Sequence, residues 1–177
     1  MRRIGIDFGT CYIKGAEKKK NGSVVHLKLG KAIDKPRIPN VIVYEQKEGG
    51  CRFFIGEAAL KKPVSEQDKI RNIKTHLQED GWKRELSFGK SVDTYEVTLN
   101  IMQSLYEEIH NTNKNEDISA TITVPVNFSQ RQQMIVEKAA RESGFLVDSI
   151  ITEPFAALFY LMEDEFEEGH NILIFDF

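Results

Sequence analysis

The chain has 177 residues, which is long enough for one ordinary domain or for a larger domain with a subdomain. Its 41% hydrophobic and 29% charged residues are typical of a globular protein, and a net charge of −3 gives no general attraction to nucleic acid or anionic membranes. Asp7 comes too early for a secretory signal peptide, and no apolar stretch approaches the roughly 20 residues that cross a bilayer. Two cysteines are too few for a disulfide scaffold, so we expect a reduced, cytoplasmic protein.

The first thirty residues predict a β-meander. Three strands are expected, over residues 3–8, 11–17 and 23–29. Asn21-Gly22 lies between the second and third, and this dipeptide is a strong hairpin signal because both residues tolerate positive φ. The lysines just before it then form the solvated tip of the hairpin.

The character of the sequence changes between residues 34 and 91, where prolines, a Gly-Gly pair and many charges occur. Short strands are expected at 41–45 and 52–55, and a short helix between Asp68 and Leu77. We therefore predict that residues 34–91 form an inserted subdomain. Residues 1–33 and 92–177 form the core around it.

Helices and strands alternate after the insertion. Asp93 with Glu96, and Ser129 with Gln132, have the spacing of capping boxes at two helix starts. The expected order is helix, strand (119–124), helix (129–143), strand (149–152), helix (154–162), loop (163–168) and strand (171–177). A meander followed by this alternation predicts an α/β fold, a mixed sheet with helices on its faces. That order resembles the ribonuclease-H-like fold, on which actin-like ATPases are built.

The turn after the first strand has the features of a phosphate site. Gly9 lets the backbone approach a ligand closely, and Thr10 and Cys11 add donors to a nest of backbone N–H groups. Asp7 would repel phosphate directly, but it can act through hydrated Mg²⁺, which prefers one or two carboxylates with waters and phosphates. An ordinary polar turn also accounts for Asp7-Phe8-Gly9-Thr10.

Other candidate residues are less distinctive. Glu153 follows a predicted strand, where a carboxylate is placed to position water, but helix dipoles also favour acids there. Nothing around Lys74 separates it from the other lysines of its charged region. Asp176 ends a strand that echoes the one ending at Asp7, as in a duplicated fold with two lobes. The chain stops where a second glycine would follow, so we expect a fragment of a longer protein.

Several segments taken together resemble the 70-kDa heat-shock chaperones (the DnaK type), in order and over nearly the whole chain. They are the first phosphate motif (4–10), the lysine segment (70–74), a strand-to-helix segment (123–132), the connecting motif (151–157) and the start of the second phosphate motif (172–177). This resemblance implies the N-terminal lobe of a nucleotide-binding domain, with residues 171–177 beginning the first strand of a second lobe.

The resemblance also implies roles by position. Asp7 and Asp176 would orient Mg²⁺ through its waters, Lys74 would touch the γ-phosphate or the attacking water, and Glu153 would help to position that water. The phosphates of ATP or ADP would be lined by Gly9, Thr10, Cys11 and Tyr12. Cys11 departs from the family pattern, because it replaces a threonine and so removes a hydroxyl donor.

The function implied by the resemblance is an ATP-hydrolysing chaperone that couples its nucleotide state to the binding and folding of client proteins. A J-domain co-chaperone and a nucleotide-exchange factor would be its partners. The adenosine pocket and the substrate-binding domain would lie outside residues 1–177, so we expect this fragment alone to be inactive. Alternatives are an actin-like cytoskeletal ATPase lobe, a degenerate interaction lobe that does not hydrolyse ATP, and a ribonuclease-H-like nuclease. The nuclease comes last because Asp7 has no acidic companion on the neighbouring predicted strands.

Overall fold

The structure is a computed structural model that describes residues 1–30, 36–112, 114, 116–161 and 173–174. The predicted loop at 163–168, the predicted strand at 171–177 and the candidate magnesium residue Asp176 lie outside these residues, apart from positions 173 and 174. Its strands are β1 (Arg2–Phe8), β2 (Tyr12–Lys18), β3 (Val24–His26), β4 (Arg37–Pro39), β5 (Val41–Lys47), β6 (Gly50–Ile55), β7 (Lys69–Arg71), β8 (Lys83–Glu85), β9 (Ser91–Asp93), β10 (Ile118–Val124) and β11 (Leu146–Thr152). The helices are α1 (Gly56–Leu60), α2 (Ile73–His76), α3 (Thr94–His110), α4 (Gln130–Glu142) and α5 (Glu153–Leu161), with a 3₁₀ turn at Glu66–Asp68.

The main sheet is mixed, as the sequence predicts. Its strand order is β11-β10-β1-β2-β3, and β4 also pairs with β2. β1, β10 and β11 run parallel, whereas β2 is antiparallel to β1, β3 and β4. Because parallel strands end at the same edge, the residues at the ends of β1, β10 and β11 come together there.

Side chains alternate along the central strands, and this alternation places the core. Ile4, Ile6 and Phe8 of β1 are buried, whereas the alternating residues Arg3 and Gly5 are exposed. The predicted apolar stripe of α3 packs onto the buried side, and it consists of Val97, Ile101, Leu105 and Ile109. The side chains of these two elements belong to one continuous hydrophobic core.

A second, three-stranded sheet of order β6-β5-β7 lies between β4 and α3 in the chain, followed by the β8-β9 hairpin. Its first strand begins at Val41, because the segment before it, Arg37–Pro39, pairs with β2 of the main sheet. The division into a core and an insertion at 34–91 stays a prediction.

Two local predictions need correction. The helix expected between Asp68 and Leu77 is confined to Ile73–His76, because Lys69–Arg71 pairs with β5 as a strand. Asp93 caps the Glu96 N–H, but the Glu96 carboxylate binds Lys90 instead of closing a capping box. The box at Ser129 is complete.

Candidate functional site

An open cleft of about 870 Å³ lies at the edge where β1, β10 and β11 end. Asp7 of β1 and Thr123 of β10 are neighbours in the strand register, and Glu153 directly follows β11. The cleft is lined by residues that the sequence singled out, namely Asp7, Gly9, Thr10, Cys11, Tyr12 and Glu153, and by others that it did not, including Lys14, Arg37, Gln78 and Thr123.

The loop between β1 and β2 turns tightly at Gly9. A Cβ atom at this position would collide with the Tyr12 carbonyl oxygen, well inside the 3.0 Å below which real Cβ contacts are essentially never found. Only glycine therefore fits the turn without a shift of the backbone. Thr10 and Cys11 are exposed at its tip, and the Arg37 guanidinium lies 3.8 Å from the centre of the Tyr12 ring.

The Asp7 carboxylate is partly exposed at the cleft and has two partners. It accepts a hydrogen bond of 3.2 Å from the Thr123 hydroxyl and lies 3.3 Å from the Lys14 ammonium group. Within the described part of the chain, no group of three or more acidic, histidine or cysteine side chains could hold a metal ion. The donor set therefore fits a cation held mainly by phosphates and waters, as Mg²⁺ commonly is, better than a cage made of protein ligands alone.

Lys74 and Glu153, which are 79 residues apart, form a salt bridge between Nζ and Oε1. The Lys74 side chain is only 3% exposed, and that of Glu153 is 25% exposed. A charge as buried as that of Lys74 needs a partner. Its removal from water costs roughly several kcal/mol of free energy, which only a nearby opposite charge or hydrogen bonds can offset. Glu153 supplies that partner from the first turn of α5, where the helix dipole favours a carboxylate.

The position of Lys74 follows from an unusual backbone conformation. Asn72, which precedes α2, has φ 53° and ψ 47°, so it lies in the left-handed region. This turn takes the chain from β7 directly into α2, which carries Lys74. Lys74 does not line the cleft in the structure, whereas Glu153 does, so the lysine meets the cleft through the carboxylate.

The structure thus brings together the loop, Asp7, Glu153 and Lys74, while Asp176 lies outside the described residues. Sequence reasoning missed Thr123 and Asn40. Thr123 lies beside Asp7 because β1 and β10 are neighbouring strands. This contact cannot be predicted without knowing the strand order. Asn40 is buried beside the loop and donates from Nδ2 to the Gly9 carbonyl over 2.8 Å, which no local sequence signal indicates.

A mixed sheet with helices on its faces, bearing a strand-turn-strand loop and a carboxylate at one cleft, defines a lobe of the actin-like ATPase class. The model of the family described as Hsp70 protein matches residues 50–177, which is more than two thirds of the chain. The chain therefore belongs to the Hsp70 family, the chaperones whose nucleotide-binding domain has this fold. Members of the family bind nucleotide, client proteins and co-chaperones. No helix in the described ranges is long and apolar enough to span a bilayer.

Proposed function

We propose that the chain is the first lobe of an ATP-binding and ATP-hydrolysing chaperone domain, whose nucleotide state controls the binding of client proteins. The observation that carries this proposal is that the Asp7 carboxylate, the Gly9 loop and Glu153 line one cleft, with Lys74 bound to Glu153 behind it. Residues 1–33 and 92–177 form the core of this lobe, residues 34–91 form the inserted subdomain, and residues 171–177 lead into a second lobe.

The phosphates of ATP would bind against the loop of Gly9, Thr10, Cys11 and Tyr12. Backbone N–H groups of such a turn attract an anion, and the cation of Lys14 at the cleft adds to the attraction. Asp7 would bind the waters of Mg²⁺, and Asp176 would do the same from the second lobe. Bound Mg²⁺ would supply neutralisation of charge on the phosphates.

Hydrolysis requires a water held in line with the γ-phosphate, and Glu153 would accept a hydrogen bond from such a water. Its carboxylate follows β11 at the cleft, and its contact with Lys74 fixes one of the two oxygens. The other oxygen can then face the water in a defined direction. Lys74 would hold this carboxylate and place a positive charge near the γ-phosphate, so catalysis is mostly positioning and electrostatics.

The coupling to clients follows from the same proposal. A J-domain co-chaperone would stimulate hydrolysis, a nucleotide-exchange factor would release ADP, and the protein would work in the cytoplasm. Residues 1–177 alone would bind ATP weakly and would not turn it over, because the adenosine pocket belongs to the second lobe.

A degenerate lobe that binds partners without hydrolysing ATP is the second candidate. Two observations favour it. Cys11 places a thiol where the family pattern has a hydroxyl donor, and Lys74 is paired and buried away from the cleft.

Single-turnover hydrolysis of ATP by the full-length protein with Mg²⁺ separates the two candidates. We expect slow hydrolysis by the wild type and a loss of about 100-fold or more in Glu153→Gln, which keeps the shape but weakens the hold on water. Asp148→Asn is the control, because it neutralises an acidic side chain that lies five residues before Glu153, on β11, and is exposed away from the cleft. Tight ATP binding without hydrolysis in the wild type would support the degenerate lobe.

A further inference from the structure

Asn40 connects two parts of the candidate site that are far apart in the chain. Its backbone N–H donates to the Cys11 carbonyl over 2.8 Å, and its Nδ2 donates to the Gly9 carbonyl over 2.8 Å. Its own carbonyl accepts from the Asn72 N–H over 3.0 Å. One residue thus contacts both the phosphate loop and the left-handed turn that leads to Lys74.

The side-chain amide of Asn40 is buried, but within the described ranges only half of it is hydrogen-bonded. Asn40 is 3% exposed, and its Oδ1 has no hydrogen-bond partner in the part of the chain that the structure describes. A buried carbonyl oxygen without a donor lowers stability, so this amide contributes less than a fully bonded or an apolar side chain would. Such a group in a buried position points to a purpose other than stability.

The hydrogen bonds of Asn40 orient the peptides of the loop. A trans peptide is planar, so its C=O and the following N–H point in opposite directions. Holding the Gly9 and Cys11 carbonyls toward Asn40 therefore directs the N–H groups of Thr10 and Tyr12 away from it. These N–H groups belong to the residues at which the loop meets the cleft.

We infer that Asn40 is a positioning residue. It holds the N–H groups of the loop toward the phosphates and fixes the position of the loop relative to the segment that carries Lys74. This inference rests on the proposed function. Asn40 itself does not line the cleft, so it acts through the loop and through Asn72 and makes no contact with the nucleotide. The residue type follows from the contact, because the Gly9 carbonyl needs a donor and a carboxylate or a methyl group supplies none.

The test compares Asn40→Ala and Asn40→Asp in the full-length protein with Asn100→Ala. Asn100 is the matched control, because its Nδ2 donates over 2.8 Å to the hydroxyl of buried Tyr44, away from the cleft. Calorimetric titration with MgATP and with adenosine measures the affinities. Hydrogen exchange of residues 9–12 and 72–77, without nucleotide, measures how firmly the two segments are held.

We expect both Asn40 variants to weaken MgATP binding by about tenfold, the value of one lost charge-assisted contact, while adenosine affinity changes less than twofold. Both segments should exchange faster in the Asn40 variants, and in Asn100→Ala neither should. Asn40→Asp with wild-type MgATP affinity would overturn the inference, as would an equal loss of ATP and adenosine affinity. A wild type that binds no nucleotide would refute the proposed function alone, and unchanged exchange in Asn40→Ala would then refute the positioning role separately.

Discussion

The salt bridge between Lys74 and Glu153 predicts an unequal response to removal of its two partners. Glu153→Ala leaves the Lys74 ammonium buried, with 3% of the side chain exposed, and without its carboxylate. Lys74→Met replaces the lysine with an apolar side chain of similar length and leaves Glu153 25% exposed, where water and the helix dipole stabilise it. We therefore expect a cost of about 3 kcal/mol for Glu153→Ala and about 1 kcal/mol for Lys74→Met.

The double variant Lys74→Met/Glu153→Ala should be close in stability to Lys74→Met alone, since it leaves no unpaired charge. The two single costs sum to about 4 kcal/mol and the double variant loses about 1, so the coupling free energy between the two sites is about 3 kcal/mol. Chemical denaturation measures all four free energies of unfolding. For a domain of this size, the cost of Glu153→Ala also lowers the melting temperature by roughly 6–12 °C.

The exposed pair Glu137–Arg141 on α4 is the control, with a separation of 2.8 Å and side chains 39% and 52% exposed. Its coupling should be below about 0.5 kcal/mol, because solvent screens such a pair. Additive costs for Lys74 and Glu153, or a larger cost for Lys74→Met than for Glu153→Ala, would refute the reasoning from burial.

Three further predictions concern the loop, the pH dependence and a helix start. Gly9→Ala should abolish MgATP binding because of the clash in the turn, while Gly5→Ala, whose Cβ would meet no atom within 4 Å, should bind as the wild type does in the same titration. Arg2 lowers the pKa of Glu17 from 4.5 to about 2, so the pair stabilises the fold fully above pH 4.5 and loses this contribution as the pH falls toward 2. The free energy of unfolding of the wild type should exceed that of Glu17→Gln by on the order of 2 kcal/mol at neutral pH. Denaturation measured across this pH range should show that the difference disappears as the pH approaches 2. Ser129→Ala should lower the free energy of unfolding by about 1 kcal/mol, since it removes the helix cap, and an unchanged value in urea denaturation would contradict the capping argument.

The sequence predicts those elements whose signals are local. Examples are the alternation in β1, the stripe of α3 and the capping box at Ser129, all of which the structure has. Each pattern is formed by residues that follow one another at short, regular spacing in the sequence. The strand β7 was missed because it exists through pairing with β5, a contact that overrides local preference.

The candidate site divides in the same way. The glycine turn and Asp7 can be recognised from the residues themselves, because their chemistry is contained in a short segment. Lys74 could be singled out only by resemblance to a family, since its contact with Glu153 depends on how β7, α2 and β11 are arranged in space. Asn40 gave no signal, because its role comes from three hydrogen bonds to distant residues.

In the proposed function, the edge of the sheet at Asp7 binds the phosphates of a nucleotide together with Mg²⁺. Calorimetric titration of ATP into the full-length protein, with and without Mg²⁺, tests it most directly when the wild type is compared with Asp7→Asn and with the control Asp148→Asn. We predict tight binding by the wild type and the control, and a loss of about 10- to 100-fold in Asp7→Asn that is seen only when Mg²⁺ is present. An Asp7→Asn variant with the same Mg²⁺-dependent affinity as the wild type would contradict the account.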